Sequence, residues 1–170
     1  LNLDRYLAPA LKKAQDTADI TIVFTHWGRE YKPVAPHQQR EARLLFERGA
    51  DVIIGHHSHE AQTFGWAAGK PVLWSLGNLA FGSMGRFKSD GGYGLVARVV
   101  LKAKQLHRIE LAPILVDNER VGFRSRPLSR DRAQEVLTRL GPKGSQHFRV
   151  EGGIGILEPE PSSANSNSPP

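Results

Sequence analysis

The chain has no cysteine among its 170 residues. That excludes disulfides, thiolate metal sites and a thiol nucleophile, and it leaves the compartment undetermined. Any metal site must be built from His, Asp, Glu or Asn, donors that suit Zn, Mn, Fe and similar ions. No run of eighteen apolar residues occurs, so no segment reads as a membrane-spanning helix. The opening "LNLDRYLAPALKKAQ" is amphipathic and of mixed charge, unlike a secretory signal. It begins with Leu, which leads us to expect that the natural N-terminus, with any leader or anchor, lies upstream. Acidic residues are the scarcer charge, 17 against 23 Lys and Arg, for a net +6. The excess is concentrated in residues 98–149, which hold twelve basic and five acidic residues. Such a half can attract anionic small molecules, polymers or membrane surfaces, or be a solvated face. Its basic residues stand singly, without interleaved aromatics, which argues against a nucleic-acid partner.

Apolar spacing predicts a helix over 3–18, with Pro9 weakening its first turn. Within "DITIVFTHWG", residues 20–25 are nearly all apolar or β-branched without clean alternation, the pattern of a strand buried on both faces. Pro36 opens a second helix over 36–48 that stops at Gly49. "ADVIIG" is a second buried strand, and strand, helix, strand makes a βαβ unit with parallel strands. "AQTFGWAAGKPVLWSLGN" reads as two strands about an "AAGK" turn. "GSMGRFKSDGG", residues 82–92, is a Gly-rich loop whose Arg86 and Lys88 are candidates for holding an anionic substrate, or simply part of an ordinary flexible loop. Residues 93–116 alternate as a long hairpin turning near Lys104–Gln105. "SRDRAQEVLTRL" is a capped amphipathic helix, and "HFRVEGGIGIL" a final strand pair. The Pro/Ser/Asn-rich stretch over 158–170 reads as a disordered tail.

Three of the seven histidines fall within "GHHSH", as His56, His57 and His59. His26 ends the first predicted strand, and His57 and His59 lie just past the end of the second. Parallel strands share their carboxyl-end edge, where open α/β sheets place ligands. His26 and the later cluster should therefore converge, and three imidazoles without thiolates make a metal-site composition. His37, His107 and His147 read as surface or hydrogen-bonded structural residues. Two familiar His-x-His patterns fail: Glu60-Ala61-Gln62 follows where a metallo-β-lactamase needs Asp-His, and the chain is too short for an amidohydrolase barrel.

Four segments in order, "FTHWGREY", "GADVIIGHHSH", "KPVLWSLGNLAFG" and the late "ELAPILVDN" with "RPLSRDRAQEVLTRL", resemble the CapA family of poly-γ-glutamate capsule synthesis proteins. That family lies within the metallophosphatase (calcineurin-like phosphoesterase) superfamily. The resemblance extends from about residue 15 to 140, with Ser58 in place of Pro and Leu79 in place of Phe. It implies an αββα sandwich, of which residues 1–157 form a partial domain resembling the C-terminal half: a short parallel βαβ pair, then antiparallel strands, with flanking helices. It implies His26, His57 and His59 as metal-facing histidines. His56 is left as a substrate-facing group able to protonate a leaving oxygen, with Glu30 and Asn78 as ligand- or substrate-orienting residues. The complete family domain holds two divalent ions; one or none is expected from the residues of this chain. Its carboxylate-bearing early motifs have no counterpart here, since Asp4 and Asp19 read as a helix-start and a pre-strand residue. The implied activity is metal-assisted phosphoester chemistry in capsule or cell-envelope polymer synthesis, on an anionic small-molecule or polymeric substrate. The alternative is a fragment acting as a non-catalytic accessory subunit. In either case the expected partners are a missing N-terminal half or envelope synthesis proteins. Loss of the first half should also leave sheet edges and apolar surface exposed.

Overall fold

The computed structural model describes residues 3–80 and 92–160, with the side chains of Leu3 and Asp4 left aside. The Gly-rich loop with Arg86 and Lys88, and most of the expected tail, lie outside the described residues. Two sheets organise the chain. The first contains β1 (Ile22–His26), β2 (Val52–His56), β3 (Phe64–Ala67) and β4 (Lys70–Leu73), in the order β1-β2-β4-β3. β1 and β2 are parallel, β2 and β4 are parallel, and β3 returns antiparallel to β4. The second contains β5 (Tyr93–Lys102), β6 (Gln105–Leu115), β8 (Phe148–Glu151) and β9 (Ile154–Leu157), in the order β5-β6-β9-β8. The two-residue β7 (Arg126–Pro127) adds to β6. The fold is thus α/β: a mixed sheet built on a parallel pair, an antiparallel sheet, and helices α1 (Leu3–Thr17), α2 (Pro36–Glu47), α3 (Asn118–Val121) and α4 (Arg130–Leu140).

The two faces of the first sheet divide the core. Ile53 and Val72 face Leu11 of α1 and Ala42, Leu45 and Phe46 of α2, with Val23 packed alongside. Val52, Ile54, Phe64 and Leu73 face the other way, onto Leu95, Ile109, Leu111 and Leu157 of the second sheet. Val136, Leu137 and Leu140 of α4 join that cluster. Side-chain alternation along each strand makes both surfaces possible at once.

Two details hold the register. Asp51 accepts a hydrogen bond from the Thr21 backbone at 2.9 Å and pairs with Lys70 at 3.2 Å, tying the starts of β1, β2 and β4 together. At the other end the Trp27 indole crosses β2 and donates to the Trp74 carbonyl at 2.9 Å. The crossing passes over Gly55, where an added Cβ would stand 2.0 Å from that carbonyl oxygen and 2.6 Å from the indole nitrogen. Only glycine admits this approach.

The expectation that β1 is buried on both faces is not met. β1 is an edge strand, and Phe24 at its centre is 68% exposed. A continuous β-branched run has the same composition whether its neighbour is a strand or solvent, so its pattern could not reveal the open side. α1 runs through Pro9, and the β5–β6 turn falls at Ala103–Lys104, one residue earlier than expected. Ser129 stands at the N-cap of α4 but its side chain makes no capping hydrogen bond. α3 and β7 had no legible pattern at four and two residues.

Lys104 in the β5–β6 turn pairs with Asp19 just ahead of β1, while Phe64 of β3 packs edge-on against Phe148 of β8. The outer strands β1 and β5 therefore share one flank. Exposed Phe24 lies on it, and Val96 of β5 is 43% exposed. The Thr25 hydroxyl on β1 is buried without a partner among the described residues. It borders a cavity of about 420 Å³ between β1 and Leu7, His37 and Leu45.

Gly55→Ala should destabilise the fold by about 3 kcal/mol, because a methyl there meets backbone that cannot move aside. Urea unfolding of the variant checks this; a midpoint equal to that of the parent would show that the Trp27 crossing does not hold β2 and β4 in place.

Candidate functional site

The parallel register pairs His26 directly with His56, so both strands end at one edge of the sheet. The chain leaves β2 through His57, Ser58 and His59, and leaves β1 through Trp27 and Gly28. Backbone hydrogen bonds knit the two exits: Trp27 N–H donates to the His56 carbonyl at 3.3 Å, and Tyr31 N–H to the Ser58 carbonyl at 2.8 Å. Ser58 is fully buried, and its hydroxyl donates to the Glu60 carbonyl at 2.8 Å, closing a tight turn between the two histidines.

That turn is strained. His57 has φ +96°, His59 φ +59° and Tyr31 φ +55°. Left-handed backbone at non-glycine residues costs on the order of 1–2 kcal/mol each. Strain of this kind persists where surrounding contacts over-determine it, and it clusters at functional sites.

The imidazoles converge in pairs. The His26 and His57 rings lie 4.6 Å apart between centroids, and His57 and His59 6.4 Å. Tyr31 stacks on His59 at 5.6 Å. Asn78, expected to orient a ligand, orients His59: its Oδ1 accepts from Nδ1 at 2.9 Å. This bond puts a proton on Nδ1 and fixes the orientation of the His59 ring. Nε2 lies 3.8 Å from the Glu30 carboxylate, which places Glu30 beside His59. Asn78 is itself clamped, because its carbonyl oxygen would stand 2.1 Å from a Cβ at Gly94 of β5.

His56, beside His26 in the ladder, is set apart by its contact with Phe24. It stacks parallel to Phe24 at 6.1 Å, on the face of the sheet that looks toward β5. Its pKa is held below the ordinary imidazole value, first by burial and then by the neighbouring His26. His37 lines the cavity beside β1, His107 is exposed, and His147 packs edge-on against Trp66. None of these three takes part in the pairings above.

The donor set fits a divalent ion in part. Imidazole and carboxylate edges approach pairwise, yet among the described residues no three His, Asp or Glu side chains close on one point. A shared ion would need rings turned from these positions or further donors. What the arrangement offers as it stands is a cluster of imidazoles with the Glu30 carboxylate beside it.

Fold and site together define an α/β protein whose parallel strand pair delivers histidines to one sheet edge. Residues 3–83 match the family model of the bacterial capsule synthesis protein PGA_cap. The family match begins earlier than the expected start near residue 15 and ends before the late motifs. The chain is 34% identical over 107 residues to the PGA biosynthesis protein CapA of Bacillus subtilis, a stretch covering 62% of this chain and 27% of that protein. It is 41% identical over 81 residues to the capsule biosynthesis protein CapA of Bacillus anthracis, covering 44% and 20% respectively. A probable polyglutamine synthesis accessory protein of Mycobacterium tuberculosis is 36% identical over 62 residues, covering 36% of this chain and 16% of that protein. The chain thus spans about a quarter or less of the length of these relatives. No helix among the described residues is long and apolar enough to cross a membrane.

With its pKa depressed, His56 stabilises the fold as a neutral ring. That contribution is present above about pH 6.5, the unfolded value, and is lost as pH falls through the lower folded midpoint. Phe24→Ala should let water reach the ring and move the midpoint up toward the ordinary value. Proton NMR titration of the histidine ring resonances reads this directly; a His56 midpoint in the parent protein at or above that of free imidazole would contradict the burial assigned to it.

Proposed function

We propose that this chain is the histidine-bearing part of a metal-dependent, phosphoesterase-like domain of the CapA type, serving capsule or cell-envelope polymer synthesis. The observation that carries the reading is the convergence of His26, His57 and His59 at the carboxyl edge of a parallel strand pair, on a strained loop. The names of the Bacillus relatives, both biosynthesis proteins, support the polymer context. His57 and His59 with His26 would hold the ion, and Asn78 would fix the His59 ring. A bound divalent ion supplies Lewis acidity toward phosphoryl oxygens and a lowered water pKa. Glu30 gives the rim negative charge that favours a cation, and His56, kept neutral by burial, is a base or, once protonated, an acid near neutral pH. The substrate is an anionic small molecule or polymer.

In this reading the remaining carboxylate donors come from another segment, and the open flank along β1 is where it docks. An edge of five residues without Lys or Pro, with Phe24 exposed and Thr25 unpartnered, has none of the usual devices that block strand addition. A second reading, a non-catalytic accessory subunit, is favoured by the open donor set among the described residues and by the word "accessory" in the mycobacterial relative's name.

Calorimetric titration of the chain with zinc or manganese tests the metal. Binding is expected, and His57→Ala or His26→Ala should weaken it by about tenfold or more, whereas His107→Ala should not. No binding by the parent chain, or equal loss with His107→Ala, removes the metal reading. A chromogenic phosphodiester offered with manganese to a protein carrying the full relative-length domain separates the two roles: turnover supports the hydrolase, and inactivity despite bound metal supports the accessory subunit.

A further inference from the structure

The segment from Glu119 to Arg132 holds five arginines, no lysine and two acidic residues. In sequence these arginines look like scattered surface charge. The fold gathers three of them, Arg120 from α3, Arg126 from β7 and Arg132 from α4, around one cavity of about 380 Å³. Leu115 and Leu128 supply apolar wall, and Ser129 stands among the lining residues.

The three arginine side chains are exposed, and backbone pairing places the residues that carry them. β7 is paired to β6, with Arg126 opposite Leu115 and Pro127 opposite Ile114. Arg126 donates through Nη2 to the Arg120 carbonyl at 3.4 Å, which lays its guanidinium against α3. Arg132 pairs through one nitrogen with Glu135 on its own helix, leaving its other N–H groups for a second acceptor. Ser129 precedes an eleven-residue helix without spending its hydroxyl on the cap. The same segment reaches the histidine edge, since the Ser125 hydroxyl donates to the carbonyl of Leu79, next to Asn78.

Three guanidinium groups from three elements around one cavity repel one another, and an anion relieves that repulsion. The choice of arginine throughout is informative, because its planar fork meets carboxylate or phosphate oxygens with two parallel hydrogen bonds and lysine does not. The amide groups opening α4 point the same way.

We infer that the Arg120–Arg126–Arg132 cavity is an anion-binding site, taking a carboxylate or phosphate group of a ligand that also reaches the neighbouring histidine edge. This goes beyond the metal reading and does not depend on it.

The test is calorimetric titration of the metal-free full chain at low ionic strength with two probes, inorganic pyrophosphate and a hexaglutamate peptide. Binding of at least one is expected. Arg120→Gln with Arg126→Gln should weaken it by about tenfold or more, and Arg126→Lys, which keeps the charge but loses the fork, should fall between. Arg40→Gln with Arg43→Gln on α2 removes the same charge elsewhere and should leave affinity within about twofold. Thermal unfolding by circular dichroism confirms that each variant is folded. Pyrophosphate alone binding assigns the site to phosphate, hexaglutamate alone to carboxylate, and both to either oxyanion. Failure of both probes, or equal weakening by the α2 pair, overturns the site. Zinc binding is read separately, so failure here leaves the histidine reading standing, and the reverse.

Discussion

The parallel ladder between β1 and β2 is the constraint from which the rest follows. Its register sets His26 opposite His56 and stops both strands at one edge. A slip of one residue would turn every side chain of β1 to the opposite face, sending Val23 away from the helices and His26 away from His57. The register is held at both ends by contacts of different kinds. Asp51 and Lys70 tie the strand starts through charge and backbone, and Trp27 ties the strand ends by reaching across Gly55 to Trp74. The crossing is tolerant of no side chain at position 55, so packing and site geometry depend on the same missing methyl.

Beyond the ladder the backbone does the positioning. The loop after β2 holds His57 and His59 in left-handed conformations that their side chains disfavour. Buried Ser58 between them, bonded to the Glu60 carbonyl, and the Tyr31 amide on the Ser58 carbonyl supply the compensation. The strained turn sets the two rings 6.4 Å apart between centroids, with Tyr31 stacked on His59 and Asn78 hydrogen-bonded to it. This is a site whose precision comes from second contacts rather than from the histidines alone.

Much of this was legible in the sequence because it rests on local signals. The βαβ unit follows from two apolar runs separated by a Pro-started, Gly-stopped helix, and convergence of His26 with His57 and His59 follows from the unit alone. The hairpin of β5 and β6 follows from alternation. Other features depend on what lies across space, which composition does not record. β1 reads as a central strand because Ile22, Val23 and Phe24 are apolar, yet among the described residues one side of it has no neighbouring strand. Asn78 was recognisable as a polar residue at a strand end, but its partner, His59, is nineteen positions away. The arginines of 120–132 are spaced without helical or strand period, since they sit on three elements, and only the pairing of β7 with β6 brings them together. Ser129 matches a capping pattern in sequence, and its side chain is not used so in the fold.

The open flank and the site are parts of one problem. Phe24 and His56 stack on the face of the first sheet that meets the second, and Phe24 remains 68% exposed on a strand with no outer neighbour among the described residues. The Thr25 hydroxyl on the same strand has no partner among the described residues, and His26 at its end is exposed. A strand laid along β1 would satisfy a row of backbone groups, cover about 100 Å² or more of aromatic surface worth about 2–3 kcal/mol, and place its own carboxyl-end residues within reach of His26. Burial of Phe24 would further desolvate His56 and push its pKa lower still, making it a neutral base over a wider pH range. Stability and protonation at this edge are therefore coupled through one aromatic pair: a strand that covered Phe24 would also hold His56, beside the His26–His57 pair, in its neutral form.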